Sequence, residues 1–408
     1  MSAHQQHHPA TAMLGLGHDP ADRDGSLKPP LFPTSTFAFP SAAAGKRAFE
    51  LALGIVEPEP GEDMAMIYSR LSNPGLEVLE GRVAYLDGMP GALSFSSGMA
   101  AISTTFLAHL RPGDLLLYSA PVYGGTDHVI TETLGELGMH VGEIQPHMSV
   151  DALEALLAES PGDLGMVYVE TPANPTNALF DLGVLAAFAH AHDAILVVDN
   201  TYLGPTWQRP VDHGADLVVY SATKFLGGHS DLIAGMVSGG EALEPVAAMR
   251  TFLGTMADPW TAWLLTRSLE TLDVRMHRQA ENAASLAGAL EGHPALVDVS
   301  YLGSLEPGSA DAGVFDRQCL GPGSMLSLWF VDEAAAFRFL DALEVVKLAV
   351  SLGSTESLAQ HPATMTHAGV DPEVKERLRI TGGLVRISVG IEYFEDLRDD
   401  VLKALAAV

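Results

Sequence analysis

The sequence predicts an α/β protein: a large, mostly parallel sheet domain, followed by a smaller α+β domain and preceded by an N-terminal arm. Three observations predict it. Between residues 76 and 260, short and continuously apolar runs alternate with helical stretches, the pattern of a parallel sheet covered on both faces. After the turn-rich segment GSLEPGSADAGVFDRQCLGPGS (303–324), strand-like runs return with helices between them. Before residue 76, prolines cluster in KPPLFP and EPEPGED, which disfavours long regular elements. The expected boundaries are therefore 1–75 for the arm, 76–262 for the sheet domain and 263–408 for the C-terminal domain.

In chain order, GALSFSSGMAAISTTFLAHL reads as a buried helix preceded by a turn, because Ser, Thr and Gly interrupt its apolar residues. Strands are expected at DLLLYS (114–119), HVGEI (140–144), GMVYVE (165–170), AILVVDN (194–200), DLVVYS (216–221) and AGMVSG (234–239). In MSVDALEALLAES, Ser149 is placed to cap a helix and Asp151 to meet the positive end of its dipole. In DLGVLAAFAHAHD, Asp181 is placed to cap, and Leu182, Leu185, Ala186 and Ala189 share one face. Leu265, Leu269, Leu272 and Met276 recur at helical spacing and predict one long helix over about 260–292. MLSLWFV, KLAVSL and LVRISVG are the strands expected of the smaller domain.

The chain has 408 residues, 22 basic and 51 acidic, for a net charge of −29. That field repels phosphate backbones, so neither nucleic acid nor an anionic membrane surface is an expected partner. With 47% hydrophobic and only 18% charged residues, much surface is expected to be buried, part of it in subunit contacts. The single cysteine, Cys319, rules out an intrachain disulfide and fits a reducing, cytoplasmic setting. MSAHQQHHPATAM lacks a basic region followed by an apolar core, so no secretory signal is expected. His4, His7 and His8 cluster at the terminus, and Cys319 has no neighbour at ligand spacing, so no metal is expected. GLGHDP has neither a third glycine nor a preceding strand, which argues against a dinucleotide loop, and no P-loop motif is present.

The chemistry-bearing residues fall beyond the carboxyl ends of the expected strands, where open parallel sheets bind ligands. Asp199 ends AILVVD, ETPANP follows MVYV, and SATKFLGGHSD (221–231) follows DLVVY. SSGMAAI (96–102) opens a helix whose N-terminal amides suit an anion. A lysine on a rigid turn, a carboxylate for a pyridine nitrogen, and hydroxyls with backbone amides for a phosphate are the parts that pyridoxal phosphate requires. Lys224, Asp199, Ser221 with Thr223, and Gly98 with Met99 supply them. Arg386 lies within the alternating strand LVRISVG, where an inward guanidinium is costly without an anion.

These segments resemble the Cys/Met-metabolism family of pyridoxal-phosphate enzymes, which includes cystathionine γ-synthase, cystathionine γ-lyase and methionine γ-lyase. The matching runs are YSRLSNP (68–74), FSSGMAAI (95–102), VYGGT (122–126), ETPANPT (170–176), VVDNTY (197–202), SATKFLGGHSD (221–231), SLGSTESLAQHPATMTH (351–367) and GLVRISVGIE (383–392). The resemblance implies fold-type I architecture and γ-elimination or γ-replacement on an amino acid of the methionine, cystathionine or O-acylhomoserine type. It implies that Lys224 holds pyridoxal 5′-phosphate as an internal aldimine and shuttles protons, that Asp199 pairs with the ring nitrogen, and that Tyr123 stacks on the ring and acts as acid or base. Gly98, Met99, Ser221 and Thr223 would hold the phosphate, Asn174 would lie near the phenolic oxygen, and Arg386 with Ser351 would clamp the substrate carboxylate. Tyr68 and Arg70 would reach the neighbouring subunit's phosphate, implying a homo-oligomer, expected as a dimer of dimers. β-Elimination from cystathionine or cysteine is the alternative, as is capture of the same unsaturated intermediate by a carbon nucleophile. A catalytically silent relative could dispense with Lys224 or Arg386, and both are present.

The chain also departs from its resemblance. Gly125 occupies the place after Tyr-Gly where methionine γ-lyases usually carry cysteine, residues 50–63 look inserted, and MRTFLGTMADPW (249–260) looks short. These departures bear on the substrate side of the site and leave the cofactor side intact.

Overall fold

Residues 7–22, 24–62 and 64–408 are described by a computed structural model. Among them, twelve strands form a seven-stranded and a five-stranded sheet. The strands of the large sheet are β1 (Gly91–Phe95), β2 (Asp114–Ser119), β3 (His140–Ile144), β4 (Asp163–Glu170), β5 (Ile195–Asp199), β6 (Leu217–Tyr220) and β7 (Gly235–Gly239). Their order is β1-β7-β6-β5-β4-β2-β3, and only β7 runs against its neighbours. The carboxyl ends of β1, β2, β4, β5 and β6 therefore share one edge.

The continuous apolar runs have a direct cause. Along the strands, Leu115, Leu117, Val167, Val169, Leu196 and Val198 pack into a core on one face. Leu116, Tyr118, Met166, Tyr168, Val197 and Val219 pack into a second core on the other. Because both faces are buried, no polar alternation survives.

The smaller sheet consists of β8 (Asp298–Ser300), β9 (Met325–Trp329), β10 (Lys347–Leu348), β11 (Leu358–Gln360) and β12 (Leu384–Ser388), in the order β10-β11-β12-β9-β8. It covers its own core, with Leu326, Leu328, Val385 and Ile387 at the centre. No helix among the described residues is long and apolar enough to cross a membrane.

Three expectations are corrected. GALSF is the edge strand β1, paired antiparallel to β7, and the helix begins only at Gly98, capped by Ser97. A five-residue apolar run is ambiguous between helix and strand, and pairing across the sheet decides it. The helix expected over 260–292 is two helices, Pro259–Leu269 and Leu272–Leu290. Between them the Ser268 carbonyl accepts the Thr271 amide (3.2 Å), a tight i to i+3 closure, and is also taken by Arg275 Nη2 (3.0 Å). Leu265, Leu269, Leu272 and Met276 do belong to a core, that of the large sheet, whereas Ala283, Leu286 and Leu290 of the second helix pack with the small sheet. Finally, the arm contains a regular helix, Ala42–Ala52, capped by Ser41. Pro40, Pro58 and Pro60 flank this Ala-rich stretch without interrupting it, so its helix propensity prevails. His4 and Asp63 lie outside the described residues.

Candidate active site

The shared edge of parallel strands brings residues from five segments to one cavity. Gly98, Met99, Tyr123, Asn174, Asp199, Ser221, Thr223 and Lys224 all line it. Ser351 and Arg386 line the adjoining cavity, together with Tyr123, Asn174 and Lys224. Ten of the twelve expected residues thus converge. Tyr68 and Arg70 do not reach this chain's own cavity. Tyr68 is 42% exposed on the arm, bridged through its backbone to Thr36. Arg70 Nη1 donates to the Thr251 carbonyl at 2.7 Å, and its guanidinium carbon lies 5.9 Å from the Tyr68 ring centre.

Lys224 sits on the turn after β6, with its amide donating to the Ser221 carbonyl (3.0 Å) and its own carbonyl accepting from Gly228 (2.7 Å). Arg275 backs this turn by donating to the Phe225 carbonyl at 2.9 Å. The Lys224 Nζ donates to Ser351 Oγ at 2.7 Å. Burial, helped by the positive charge of Arg386, pushes the Lys224 amine down to about 8. Ser351 adopts φ of +86°, in the left-handed region that costs a non-glycine residue about 1–3 kcal/mol. Its hydroxyl meets Lys224 and its carbonyl accepts from Arg386 Nη2 at 2.5 Å, so this one strained residue joins both cations.

Asp199 is buried at the end of β5 and accepts from the Thr201 amide (3.0 Å) and the Tyr168 hydroxyl (3.1 Å). Burial pushes its carboxyl up, and no cation among the described residues pairs with it. Thr201 Oγ1 also accepts the Ser221 amide at 2.8 Å, which ties the β5 and β6 loops together. Gly98 is packed against Ser221 so closely that a Cβ would lie 2.8 Å from the serine Cβ. Only glycine lets this helix N-terminus and the Ser221–Lys224 turn form one cradle.

Arg386, on β12, is fully buried and paired with no carboxylate among the described residues. Nη1 donates to Asn174 Oδ1 at 2.8 Å, and the Gln360 amide, with its oxygen turned inward, accepts from Nη1 (3.1 Å) and Nη2 (3.2 Å). Nε is left without a partner. A buried guanidinium surrounded by neutral acceptors is a site that wants an anion.

Sequence reasoning missed Glu170, Thr201, Tyr202, Ile233 and Leu352, which also line the cavity. Glu170 was within a quoted motif, and its place in register opposite Asp199 was the available signal. Gly125 has a packing reason: a Cβ there would lie 2.7 Å from the Tyr123 ring, so the glycine admits that ring position.

The donor set fits pyridoxal phosphate: a lysine with a lowered amine, a buried carboxylate without a cation, and a cradle of hydroxyls at a helix N-terminus. The fold and the site together define a fold-type I pyridoxal-phosphate enzyme. The family model described as "Cys/Met metabolism PLP-dependent enzyme" matches residues 10–406, and the chain belongs to that family. It is 40% identical over 405 residues to the L-methionine gamma-lyase of Pseudomonas putida, covering 98% of this chain and 97% of that one. It is 35% identical to the cystathionine gamma-lyase of Bacillus subtilis (strain 168), covering 97% and 98%. The solved cystathionine gamma synthase from Xanthomonas oryzae pv. oryzae superposes with a TM-score of 0.89 at 33% identity, covering 98% of each chain.

Proposed function

We propose that this enzyme catalyses γ-elimination or γ-replacement on a γ-substituted L-amino acid of the methionine, cystathionine or O-acylhomoserine type. The observation that carries the reading is the buried, carboxylate-free Arg386 lying in one continuous site with Lys224. Its free N–H suits the α-carboxylate of an amino acid, and the apolar Val350, Leu352 and Met365 beside it suit the apolar stem of the side chain. Similarity to both γ-lyases and a γ-synthase supports the same class.

Bound pyridoxal phosphate supplies the electron sink. With the cofactor bound, Lys224 Nζ would hold its aldehyde carbon and, once displaced from it by the substrate amine, would move the α-proton and then a β-proton as the γ-substituent leaves. Asp199 would keep the ring nitrogen protonated. Gly98, Met99, Ser221 and Thr223 would hold the phosphate, Asn174 would serve the phenolic side, and Tyr123 would cover the ring and exchange a proton with the leaving group. Ser351 orients Lys224. Water or an added nucleophile decides between elimination and replacement. The test is a mass-spectrometric screen of products from a panel of γ-substituted amino acids, with and without thiols. Products missing the γ-substituent, or carrying the thiol in its place, are expected; turnover of β-substituted amino acids alone would reject the reading.

Lys224 also sets a pH dependence. Its amine must be neutral to attack an aldehyde, and its folded value near 8 lies below the ordinary lysine value. Uptake of pyridoxal phosphate by cofactor-free enzyme should be slow below about pH 8 and level off above it. Stopped-flow absorbance measures this directly; a rate still climbing steeply near pH 10, as for an ordinary lysine, contradicts the assignment.

We further place Tyr68 and Arg70 in the neighbouring subunit's site, as part of a homo-oligomer built from dimers, in the cytoplasm. Their exposed position on the arm, away from their own cavity, supports this. Mixing inactive Arg70→Ala with inactive Lys224→Ala subunits should restore part of the activity, because some sites in mixed dimers carry neither lesion. Verified mixed dimers that remain inactive would count against a shared site.

A further inference from the structure

We propose that Glu170 is a positioning residue that sets Tyr123 and the Arg386 clamp together, by holding the backbone amides of Tyr123 and Asn174 on its two carboxylate oxygens. The inference rests on the roles assigned above to Tyr123 and Arg386. Glu170 ends β4 and is buried. Its Oε2 accepts the Tyr123 amide at 2.8 Å, and its Oε1 accepts the Asn174 amide, also at 2.8 Å. Its own amide is anchored on Ser119 Oγ at 2.8 Å. Beyond these two amides the connection runs outward in both directions. Tyr123 is the N-terminal flank of the helix Gly124–His128, which holds its carbonyl through the Thr126 and Asp127 amides, while the Glu170 oxygen holds its amide. Asn174 passes the constraint on through Oδ1, which accepts from Arg386 Nη1 at 2.8 Å.

The chemistry of the clamp requires a carboxylate. Two N–H groups converge from different loops, and each needs an acceptor. A carboxylate offers two oxygens, whereas a glutamine offers one oxygen and an amino group that meets the second N–H donor to donor. The arrangement also explains why a second buried acid is tolerated beside Asp199, its register partner on β5. Burial, helped by Asp199, pushes the Glu170 carboxyl up to about 8, and the two amides and Arg386 offset only part of that rise. Glu170 is thus bound to the loops that shape the site, and Asp199 remains free to meet a cation.

Glu170→Gln preserves volume and tests the idea in the holoenzyme. Two readouts are needed: the visible-region circular dichroism of the bound cofactor, which follows the ring's packing, and the Kd for L-norleucine, an amino acid with a carboxylate but no leaving group. Both should change, with norleucine weakened about 10- to 100-fold, since one carboxyl–amide hydrogen bond is lost and replaced by a donor clash. Asn174→Ala should weaken norleucine as well. The double variant should bind norleucine no more weakly than the worse single variant, because both act along one limb. Wild-type dichroism and norleucine affinity in Glu170→Gln, or fully multiplicative losses in the double variant, would overturn the inference. If Glu170→Gln does not fold, Glu170→Asp, which keeps the carboxyl but shortens its reach, is read the same way. Arg386→Ala is measured beside them. Norleucine affinity unaffected there means that the clamp reading itself has failed, whereas a loss there with an inert Glu170→Gln sinks only the present inference.

Discussion

Lys224→Ala is expected to abolish turnover while leaving the fold intact. Lys224 is the one cavity lysine whose amine is lowered to about 8, and its Nζ meets Ser351 at 2.7 Å. No other cavity side chain combines attachment of the cofactor with proton transfer at the α-carbon. Loss of a positioned proton-transfer group alone lowers a rate by about 10²–10⁴-fold, and loss of the covalent attachment adds to it. Borohydride reduction of the wild type, followed by peptide mapping, should place the fixed cofactor on Lys224. A map placing it on another lysine would reject the assignment.

The second large effect concerns Arg386. Arg386→Ala should lower kcat/KM by about 30-fold to several thousand-fold, the equivalent of about 2–5 kcal/mol for a buried charged contact. Cofactor content should remain near wild type, because Arg386 lies on the small sheet and contacts Asn174, Ser351 and Gln360 and none of the phosphate-cradle residues. Arg386→Lys should rescue poorly, since a point charge cannot keep Asn174 and the Ser351 carbonyl while also offering an N–H to a carboxylate. Cofactor loss with normal amino-acid affinity in Arg386→Ala would show that the carboxylate assignment is wrong.

Much of the site was legible because each part of it is local. Lys224 and its flanking hydroxyls, Asp199 at a strand end, and the small-residue opening of the Gly98 helix are each contained in one short run whose chemistry has few other uses. The family resemblance joined them into a set. The parts that were not legible depend on groups far apart in the chain. Ser351 reaches Lys224 across 127 residues, and Asn174 reaches Arg386 across 212. Glu170 went unnoticed for the same reason: its partners are main-chain amides, which carry no residue identity. Similarly, the helix break after Leu269 depends on an arginine competing for a carbonyl, and β1 depends on a partner strand more than 140 residues away.

The sequence by itself determined the class of fold, since strands buried on both faces need continuous apolar runs and parallel neighbours need helices between them. It also determined the cofactor chemistry, because lysine, aspartate and hydroxyl groups at strand ends have to be supplied as residue types. The tertiary structure decided which charges are compensated. Buried Arg250 is satisfied by the half-buried Glu80 at 2.6 Å, while Arg386 and Asp199 are left with neutral partners facing the site. That distinction cannot be read along the chain, because desolvation and pairing are properties of the space around a group, and only folding creates that space.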